Sequence, residues 1–415
     1  MRILHTADWH LGQELHGFDR GAEHDRFLAW LLDTLDDEAV DALVVAGDVY
    51  DTVNPPVAAQ QRLYRFLNTA LARRPGLDIV IVGGNHDGPS RLELPAPLLD
   101  RSRISIFGAL PRSDGRPDPA RTLVPLTDDA GRTAAVVAAI AYPRPGDLPV
   151  DGGGAAALAD IYAQALAAAR DRFPGLPVIA TGHLHVTGGD VSAESERPVM
   201  IGGEEALSPG IFPEGYAYVA LGHLHRAQGL KAAMPLRYAG APFPMSMAER
   251  SYRHSVVLVE TDGQGPAAHR LIPVPRPVAF LRVPETGALD PEAALAAVAA
   301  LDIAPPESPD LRPYLEVVVA IDAPVPDLRR RVAEALGDTP VRLARVRSLS
   351  RGSGGSLADG ASLPPALDEI DPADVFARLH RQRFDTDPPD ALARAFAELL
   401  ADAHAGPDTD AGETA

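Results

Sequence analysis

The sequence contains no cysteine in 415 residues. This absence excludes disulfide bonds and thiolate metal sites, and it leaves His, Asp, Glu and Asn as the side chains available to bind a metal. Any metal site in this chain is therefore expected to use nitrogen and oxygen ligands only.

The sequence is also short of positive charge. Its 38 Lys and Arg residues are outnumbered by 57 Asp and Glu residues, which gives a formal net charge of -19 at pH 7. Non-specific affinity for nucleic acid comes mostly from Lys and Arg against phosphate, so this balance argues against a general polyanion binder. If the chain acts on DNA, it needs metal ions, a local basic surface or a basic partner to offset its own negative field.

Long apolar runs are missing as well. No uninterrupted apolar segment reaches the roughly 20 residues that span a bilayer, although 46% of the chain is hydrophobic. Among the first eight residues, polar side chains interrupt the apolar run after only a few positions. This pattern predicts a first strand and not a signal peptide. These features predict a cytoplasmic protein with no membrane partner, and the length predicts two or three domains.

The first part of the chain repeats the order strand, polar cluster, helix. The predicted strands cover residues 2–7, 42–46 and 78–82, and the predicted helices cover residues 23–35 and 60–73. Each strand leads directly into a polar segment, at residues 8–10, 47–51 and 83–87. This repetition predicts a layered α/β sheet whose functional loops lie at one edge.

A strand that closes on Gly-His occurs twice more. Strands over residues 177–180 and 217–221 lead into Gly182-His183 and Gly222-His223-Leu224-His225. The other elements predicted in this domain are strands over 105–107, 134–141, 236–239 and 255–260 and a helix over 155–170. A polar, glycine-rich segment at 261–265 predicts the end of a first domain that covers residues 1–265.

The composition changes to prolines and short strands after residue 273. Alternating strands and helices predict a small β-α-β-α-β domain over residues 273–349, with strands at 278–283, 314–321 and 341–346 and helices at 291–301 and 328–336. Residues 350–365 are rich in Gly and Ser, which predicts a flexible linker. Two amphipathic stripes in 366–405 predict helices that bind a partner, and the polar tail 406–415 is predicted to be disordered.

Eight polar side chains stand at or just after the ends of the predicted strands. Each motif alone also occurs in ordinary loops, but their joint occurrence favours a single site at one sheet edge. Alternation along an extended segment is expected to place both members of each Asp-X-His or His-X-His pair on one side. Two divalent ions about 3.5–4 Å apart need a shared carboxylate, and Asp48 is the natural bridge. The candidates are Asp8, His10, Asp48, Asn85, His86, His183, His223 and His225.

In this order, the motifs resemble the five motifs of the calcineurin-like metallophosphoesterases. The matching strings are Asp8-X-His10, Gly47-Asp48-X-X-Asp51, Gly84-Asn85-His86-Asp87, Gly182-His183 and Gly222-His223-X-His225. The fuller strings at residues 2–12, 45–52 and 220–227 resemble the SbcD branch of that family, the nuclease subunits of bacterial SbcCD complexes. The resemblance covers the first domain closely and the later parts more loosely.

The resemblance implies a layered calcineurin-like α/β sandwich with a small α+β cap domain and C-terminal helices. It also implies two metal sites, each most simply filled by Mn²⁺. One would use Asp8, His10, Asp48 and His225, and the other would use Asp48, Asn85, His183 and His223. His86 is implied to stabilise the transition state or to protonate the leaving oxygen, and Asp51 is implied to orient His86. His185 stays open as a bystander or a substitute ligand.

The function implied by the resemblance is that of a Mn-dependent DNA nuclease subunit. It would be a 3′-to-5′ exonuclease on double strands and an endonuclease on single strands and hairpins, in DNA end processing, replication, repair and recombination. The implied partners are DNA and an SbcC-type coiled-coil ATPase, with a homodimer inside a heterotetramer. Two alternatives stay open: a small-substrate phosphodiesterase of the same superfamily, and a metal-free scaffold subunit.

Overall fold

The strands that lead to the candidate site residues lie in two six-stranded sheets. A computed structural model of the protein describes residues 1–99, 102–148, 153–192, 194–196, 201, 205–263, 265–322, 325 and 327–350, with the single positions 389 and 392. Met1–Ser350 form one compact unit.

In both sheets the central strands run parallel. Antiparallel strands lie at one edge of the first sheet and at both edges of the second. The strand order in the first sheet is Ala268–Pro273, Ser255–Glu260, Arg2–Thr6, Ala42–Ala46, Asp78–Val82 and Ile104–Phe107. The order in the second sheet is Gln228–Leu230, Leu236–Tyr238, Tyr218–Gly222, Val178–His183, Thr133–Ala138 and Leu123–Thr127. Parallel strands of this kind end at the same edge of their sheet, which is where functional loops gather.

The two sheets pack face to face between outer layers of helices. Val44 and Val80 of the first sheet share one apolar core with Val137 and Ile179 of the second. Because strands buried on both faces contact apolar layers on each side, their sequences are continuous apolar runs. The outer face of the first sheet is covered by helices Gly21–Asp37 and Val57–Arg73, and that of the second by Gly154–Arg172. This four-layer α/β sandwich confirms the predicted fold class.

Short elements connect the layers. Two short helices cover Pro89–Leu92 and Ala96–Leu99, and two small hairpins pair Glu14–Leu15 with Phe18–Asp19 and Arg112–Ser113 with Arg116–Pro117. Short 3-10 turns cover Pro119–Thr122, Pro145–Asp147, Pro209–Ile211, Met247–Ser251 and Pro309–Leu311.

The first sheet continues past residue 265, where the sequence predicted the first domain to end. Strand Ala268–Pro273 pairs antiparallel with Ser255–Glu260, so residues 261–265 connect two paired strands instead of ending the domain. Five of the six side chains of this edge strand are exposed. A strand with so little burial carries no apolar run, which is why no local pattern predicts it. Elsewhere in the sandwich, the strand predicted at 134–141 is shorter in the structure, where it covers Thr133–Ala138.

The small domain has the predicted order of elements. Strands Phe280–Val283, Tyr314–Ile321 and Arg342–Ser350 form a parallel sheet, with helices Pro291–Ala299 and Leu328–Leu336 between them. The first of these helices begins as the sequence predicts, because the Asp290 side chain accepts a hydrogen bond from the Ala293 amide at 3.0 Å and proline follows it directly.

The predicted linker, helical segment and tail lie outside the described residues, apart from Ser350 at the end of a strand and positions 389 and 392. Among the helices that the structure does describe, none has the length and apolar character needed to cross a membrane.

A buried ion pair lies where the three-stranded sheet of the small domain, the small sheet, meets the sandwich. Arg20 and Glu23 are almost completely buried, and the Arg20 guanidinium donates to both Glu23 oxygens, at 3.1 and 2.7 Å. The Tyr314 hydroxyl donates to Glu23 Oε1 at 2.7 Å, and Arg342 donates to the Tyr314 oxygen at 2.5 Å. Glu23 therefore supplies the negative charge that balances a desolvated cation and also holds the small sheet in place.

We expect Glu23→Gln to lower the free energy of unfolding by about 3–5 kcal/mol, because it leaves the Arg20 guanidinium buried without its counter-charge. Glu292→Gln is the control, since Glu292 pairs with Arg331 at 2.6 Å but is 78% exposed. That exposed pair is expected to contribute at most about 1 kcal/mol. Chemical denaturation of both variants measures the difference, and equal effects would contradict the assignment.

Candidate metal centre

The candidate residues gather where the ends of parallel strands from both sheets meet. In the first sheet, Asp8, Asp48 and Asn85 follow three neighbouring strands. In the second sheet, His183 and His223 stand at the ends of two neighbouring strands. Because the two sheets pack face to face with these ends on the same side, side chains far apart in the sequence line one site.

Backbone turns, and not strand alternation, aim several of these side chains. The φ angles are 55° at Asp8, 46° at His10, 48° at Asp48 and 101° at His223. Positive φ is costly for residues with a Cβ atom and persists where the surrounding structure enforces it, often at functional sites. The expected extended geometry of the Asp8-X-His10 and His223-X-His225 pairs is therefore wrong, although both pairs do reach the site.

Two glycines allow the loops to approach one another. A Cβ atom on Gly84 would lie 2.1 Å from Asp48 Oδ1, and one on Gly222 would lie 1.9 Å from the Ala46 carbonyl oxygen. Both distances are far below van der Waals contact, so any side chain at either position would push the ligand loops apart.

Asp48 lies at the centre of the site. Its Oδ2 is 3.2 Å from His183 Nε2 and 3.7 Å from His10 Nε2, and its Oδ1 accepts a hydrogen bond from the His86 amide at 2.9 Å. The carboxylate thus lies between ring nitrogens that belong to different sheets. This is the position that a bridging ligand of two ions requires.

Three groups of side chains bring their ligand atoms within 4.8 Å of one another. The groups are Asp8, His10 and His225; Asp48, His183 and His223; and His10, Asp48 and His86. Asn85 joins the second group, since its Oδ1 lies 3.0 Å from His183 Nε2 and 3.2 Å from His223 Nδ1. The geometry is compatible with the two predicted ligand sets, and the individual ligand roles stay predictions.

Unpartnered polar atoms test whether these residues suit a cation. Asp8 Oδ2 and His10 Nε2 are buried and form no hydrogen bond with the described residues. A buried polar atom without a partner is costly, and a divalent cation accepts electron pairs from such carboxylate oxygen and imidazole nitrogen atoms. The donor set therefore fits a cation with nitrogen and oxygen ligands.

Comparison with known proteins identifies the family. A family model described as calcineurin-like phosphoesterase matches residues 1–227, more than half of the chain. A second model, described as type 5 capsule protein repressor C-terminal domain, matches residues 274–384. The SbcD subunit of the SbcCD nuclease of Rhodobacter capsulatus is 42% identical over 387 residues, which cover 91% of this chain and 94% of the relative.

The chain belongs to the SbcD family of calcineurin-like phosphoesterases. Two further members support this assignment. The SbcD subunit of the Bacillus subtilis nuclease is 41% identical over 63% of this chain and 66% of its own length. The corresponding protein from Escherichia coli K12 is 33% identical over 84% of this chain and 85% of its own length. Membership implies a divalent metal centre, in agreement with the donor set.

The electrostatics of the site balance carboxylates against histidines. Burial raises the pKa of Asp8 to about 7. Burial also disfavours the charged form of Asp48, but His183, His10 and His86 together outweigh it and hold the pKa of Asp48 well below its usual range. Burial opposes protonation of His183 and His225, yet Asp48 raises the pKa of His183 to about 9, and Glu249 raises that of His225 to about 9.

Buried glutamates that no sequence motif indicates support the SbcD-family site. Glu249 accepts hydrogen bonds from His225 Nδ1 at 2.9 Å and from the Met245 amide at 2.7 Å, and the Ser195 hydroxyl also donates to it. Glu196 accepts from the His225 amide at 2.6 Å. A carboxylate on the far nitrogen of a ligand histidine fixes its tautomer and raises its basicity. Neither glutamate was among the predicted site residues. Only their contacts with His225 in the folded chain indicate a role at the site.

Asp87 connects two of the ligand loops. Its carboxylate is fully buried and accepts hydrogen bonds from the amides of Val49 at 3.1 Å, Tyr50 at 2.9 Å and Gly84 at 2.9 Å. These bonds hold the segment after Asp48 against the segment that contains Asn85.

His86 and Asp51 contact each other differently from the expectation. The Asp51 backbone carbonyl accepts from His86 Nδ1 at 2.8 Å, whereas the Asp51 carboxylate lies 3.2 Å from His10 Nδ1. The carboxylate thus orients a candidate ligand, and the main chain fixes the tautomer of His86. The predicted carboxylate–His86 interaction is corrected to this arrangement, because the turn after Asp48 directs the Asp51 side chain toward His10.

His185 belongs to none of the three ligand groups found among the described residues. It is half-buried, and burial lowers its pKa. Its role as a bystander or substitute ligand stays open.

We expect Glu249→Gln to weaken metal binding by about 10- to 100-fold, because His225 loses the carboxylate that makes it basic. Glu260→Gln is the control, since the Glu260 side chain is 46% exposed and pairs with Arg2. Isothermal titration with Mn²⁺ measures both variants. Unchanged affinity in Glu249→Gln would contradict the proposed support of His225.

We expect metal binding to release protons and to strengthen as the pH rises from about 6.5 to about 9. His183 and His225 have pKa values raised to about 9 in the metal-free fold, so they hold protons over this range that a cation must displace. Titration at pH 7.5 in two buffers of different ionisation enthalpy counts the protons released. A proton count of zero would show that the two histidines are already neutral.

Proposed function

We propose that this chain is the nuclease subunit of an SbcCD-type complex, a two-metal phosphodiesterase that cleaves DNA. The single observation that carries the proposal is the position of Asp48 between the two ligand groups of one buried site. A relative named as part of the SbcCD nuclease covers nearly the whole chain and supports the choice of substrate.

The proposed roles follow from the contacts. Asp8, His10, Asp48 and His225 would hold one ion, and Asp48, Asn85, His183 and His223 the other, with Mn²⁺ as the proposed metal. Bound ions supply Lewis acidity toward the phosphoryl oxygens.

His86 would donate a proton to the leaving oxygen. Its Nδ1 donates to the Asp51 carbonyl, so Nε2 is the nitrogen left to transfer a proton, and His86 would act as a general acid in its imidazolium form, which carries a proton on both nitrogens. The Asp51 carboxylate would position His10 through Nδ1, at 3.2 Å.

The proposed reactions are 3′-to-5′ exonuclease cleavage of double strands and endonuclease cleavage of single strands and hairpins. The net charge of -19 leaves little general affinity for DNA. We therefore propose that an SbcC-type coiled-coil ATPase supplies DNA binding and contacts the segment 366–405. Since the proposed substrate is DNA, the proposed location is the cytoplasm.

The proposed domain organisation keeps the predicted divisions with two changes at their boundaries. The nuclease domain extends to Pro273, because strand Ala268–Pro273 belongs to its first sheet. The cap domain follows, up to Ser350 at the end of its last strand, with a proposed linker at 351–365 and a proposed tail at 406–415.

We also propose that two copies of the chain associate. Leu94 and Leu98 are 59% and 88% exposed and line an apolar groove with Tyr64, Leu67 and Ile104. We expect light scattering to give the mass of a dimer for the wild type and of a single chain for Leu98→Glu, which places a charge in the groove. Val57→Glu, at another exposed apolar position, is the control. A monomeric wild type would contradict the proposal.

We expect Asp48→Ala to lose bound metal and all DNA cleavage, because both ligand groups lose their shared carboxylate. We expect His86→Ala to keep its metal and lose about 10²- to 10⁴-fold in turnover, as for removal of a general acid. Metal analysis and Mn²⁺-dependent cleavage of linear and hairpin DNA measure both.

His269→Ala, at an exposed position of the edge strand, is the control and should keep full activity. Full activity in Asp48→Ala would overturn the mechanism. Hydrolysis of small diesters without DNA cleavage would favour a small-substrate phosphodiesterase, and a wild type that binds no metal would favour the scaffold alternative.

A further inference from the structure

Arg144 lies beside the candidate metal centre and has no role in the chemistry described above. Its Nη2 donates to the backbone carbonyl oxygens of Gly84 at 3.3 Å and Asp87 at 2.5 Å. Those two residues flank Asn85 and His86. The guanidinium is therefore fixed on the loop that carries a candidate metal ligand and the candidate proton donor.

Tyr142 lies between Arg144 and His183, which ends a strand of the second sheet. The Arg144 Cζ atom is 5.7 Å from the centroid of the Tyr142 ring. The Tyr142 ring in turn meets the His183 ring edge to face, with centroids 6.4 Å apart. Arg144 and Tyr142 thus form one wall beside the group that contains Asp48, Asn85 and His183.

The Arg144 guanidinium lacks a carboxylate partner among the described residues. Its contacts there are with two carbonyl oxygens and an aromatic face, and its buried Nε forms no hydrogen bond with that part of the protein. Arg112 differs, since it pairs with the Asp147 carboxylate at 2.8 Å. A half-buried cation without a counter-ion is costly, and an anion that binds beside it removes the cost.

We propose that Arg144 binds a phosphate oxygen of the nucleic-acid strand at the metal centre. Nη1 makes no hydrogen bond with the described residues and is the donor left for this contact. Guanidinium groups form strong charge-assisted hydrogen bonds with phosphate. In a chain with a net charge of -19, a fixed cation here would also offset repulsion between the carboxylates and the strand. The proposal rests on the nuclease function proposed above.

The competing interpretation is that Arg144 only braces the loop of Gly84 to Asp87. A brace would act on metal content and thermal stability, whereas a phosphate contact acts on substrate affinity. Arg144→Gln removes the charge, and Arg144→Lys retains it without the planar fork. Arg112→Gln is the matched control, because it removes a nearby guanidinium that already has a carboxylate partner.

Steady-state cleavage of a single-stranded oligonucleotide by the full chain with Mn²⁺ tests the proposal. We expect Arg144→Gln to raise KM at least about tenfold with unchanged metal content and melting temperature. Arg144→Lys should recover most of this loss, and Arg112→Gln should match the wild type. The slope of log kcat/KM against log salt should become shallower by about 0.7 in Arg144→Gln, the value for one lost contact to a single strand.

Unchanged KM in Arg144→Gln, or a loss of metal and stability that accounts for the whole effect, would overturn the proposal. Binding of inorganic phosphate to the Mn²⁺-loaded chain tests the Arg144 contact without DNA cleavage, so it distinguishes failure of this contact from failure of the proposed nuclease function. If the wild type cleaves no DNA but Arg144→Gln binds phosphate about tenfold more weakly, the nuclease proposal fails and the Arg144 contact stands. If phosphate binding is also unchanged, the Arg144 contact fails.

Discussion

The site depends on the placement of one carboxylate, that of Asp48, between imidazoles that come from different layers of the fold. His10 belongs to the loop after a strand of the first sheet, and His183 ends a strand of the second, so Asp48 connects the two sheets electrostatically at their shared edge. The pKa of Asp48 is held low and that of His183 is raised to about 9, each by the other's charge. A bound cation would take over the balancing role of the histidine protons, and metal binding would then depend on the integrity of the sandwich.

Buried carboxylates outside the predicted ligand set keep this arrangement in place. Asp87 holds two ligand loops together through three backbone amides, and Glu249 fixes His225 through Nδ1. These residues are buried because they satisfy main-chain and imidazole donors that would otherwise be unpaired, and the same bonds set the direction of the ligand side chains. The positive φ angles at Asp8 and Asp48 are tolerated because the surrounding contacts enforce them.

In a chain this acidic, the surroundings of each buried or half-buried arginine decide what its charge can do. Arg20 is neutralised by Glu23 inside the protein, so it stabilises the contact with the small sheet and is unavailable to a ligand. Arg144 has only carbonyl and aromatic partners in the described part of the chain. The difference between these two arginines separates a structural cation from one whose charge is left for an anion.

The sequence by itself determined a layered α/β fold, the order of the elements and the candidate residues, because apolar runs and the glycines after them reflect local rules of burial and turning. It also predicted strand Tyr314–Ile321 and helix Leu328–Leu336 to the residue. Only the tertiary structure decided that Asp51 reaches His10 with its carboxylate, that Glu196 and Glu249 support His225, and that an exposed strand ends the first sheet at Pro273. These features depend on side chains that meet across long separations in the chain or on a strand without an apolar pattern, and neither leaves a local signal in the sequence.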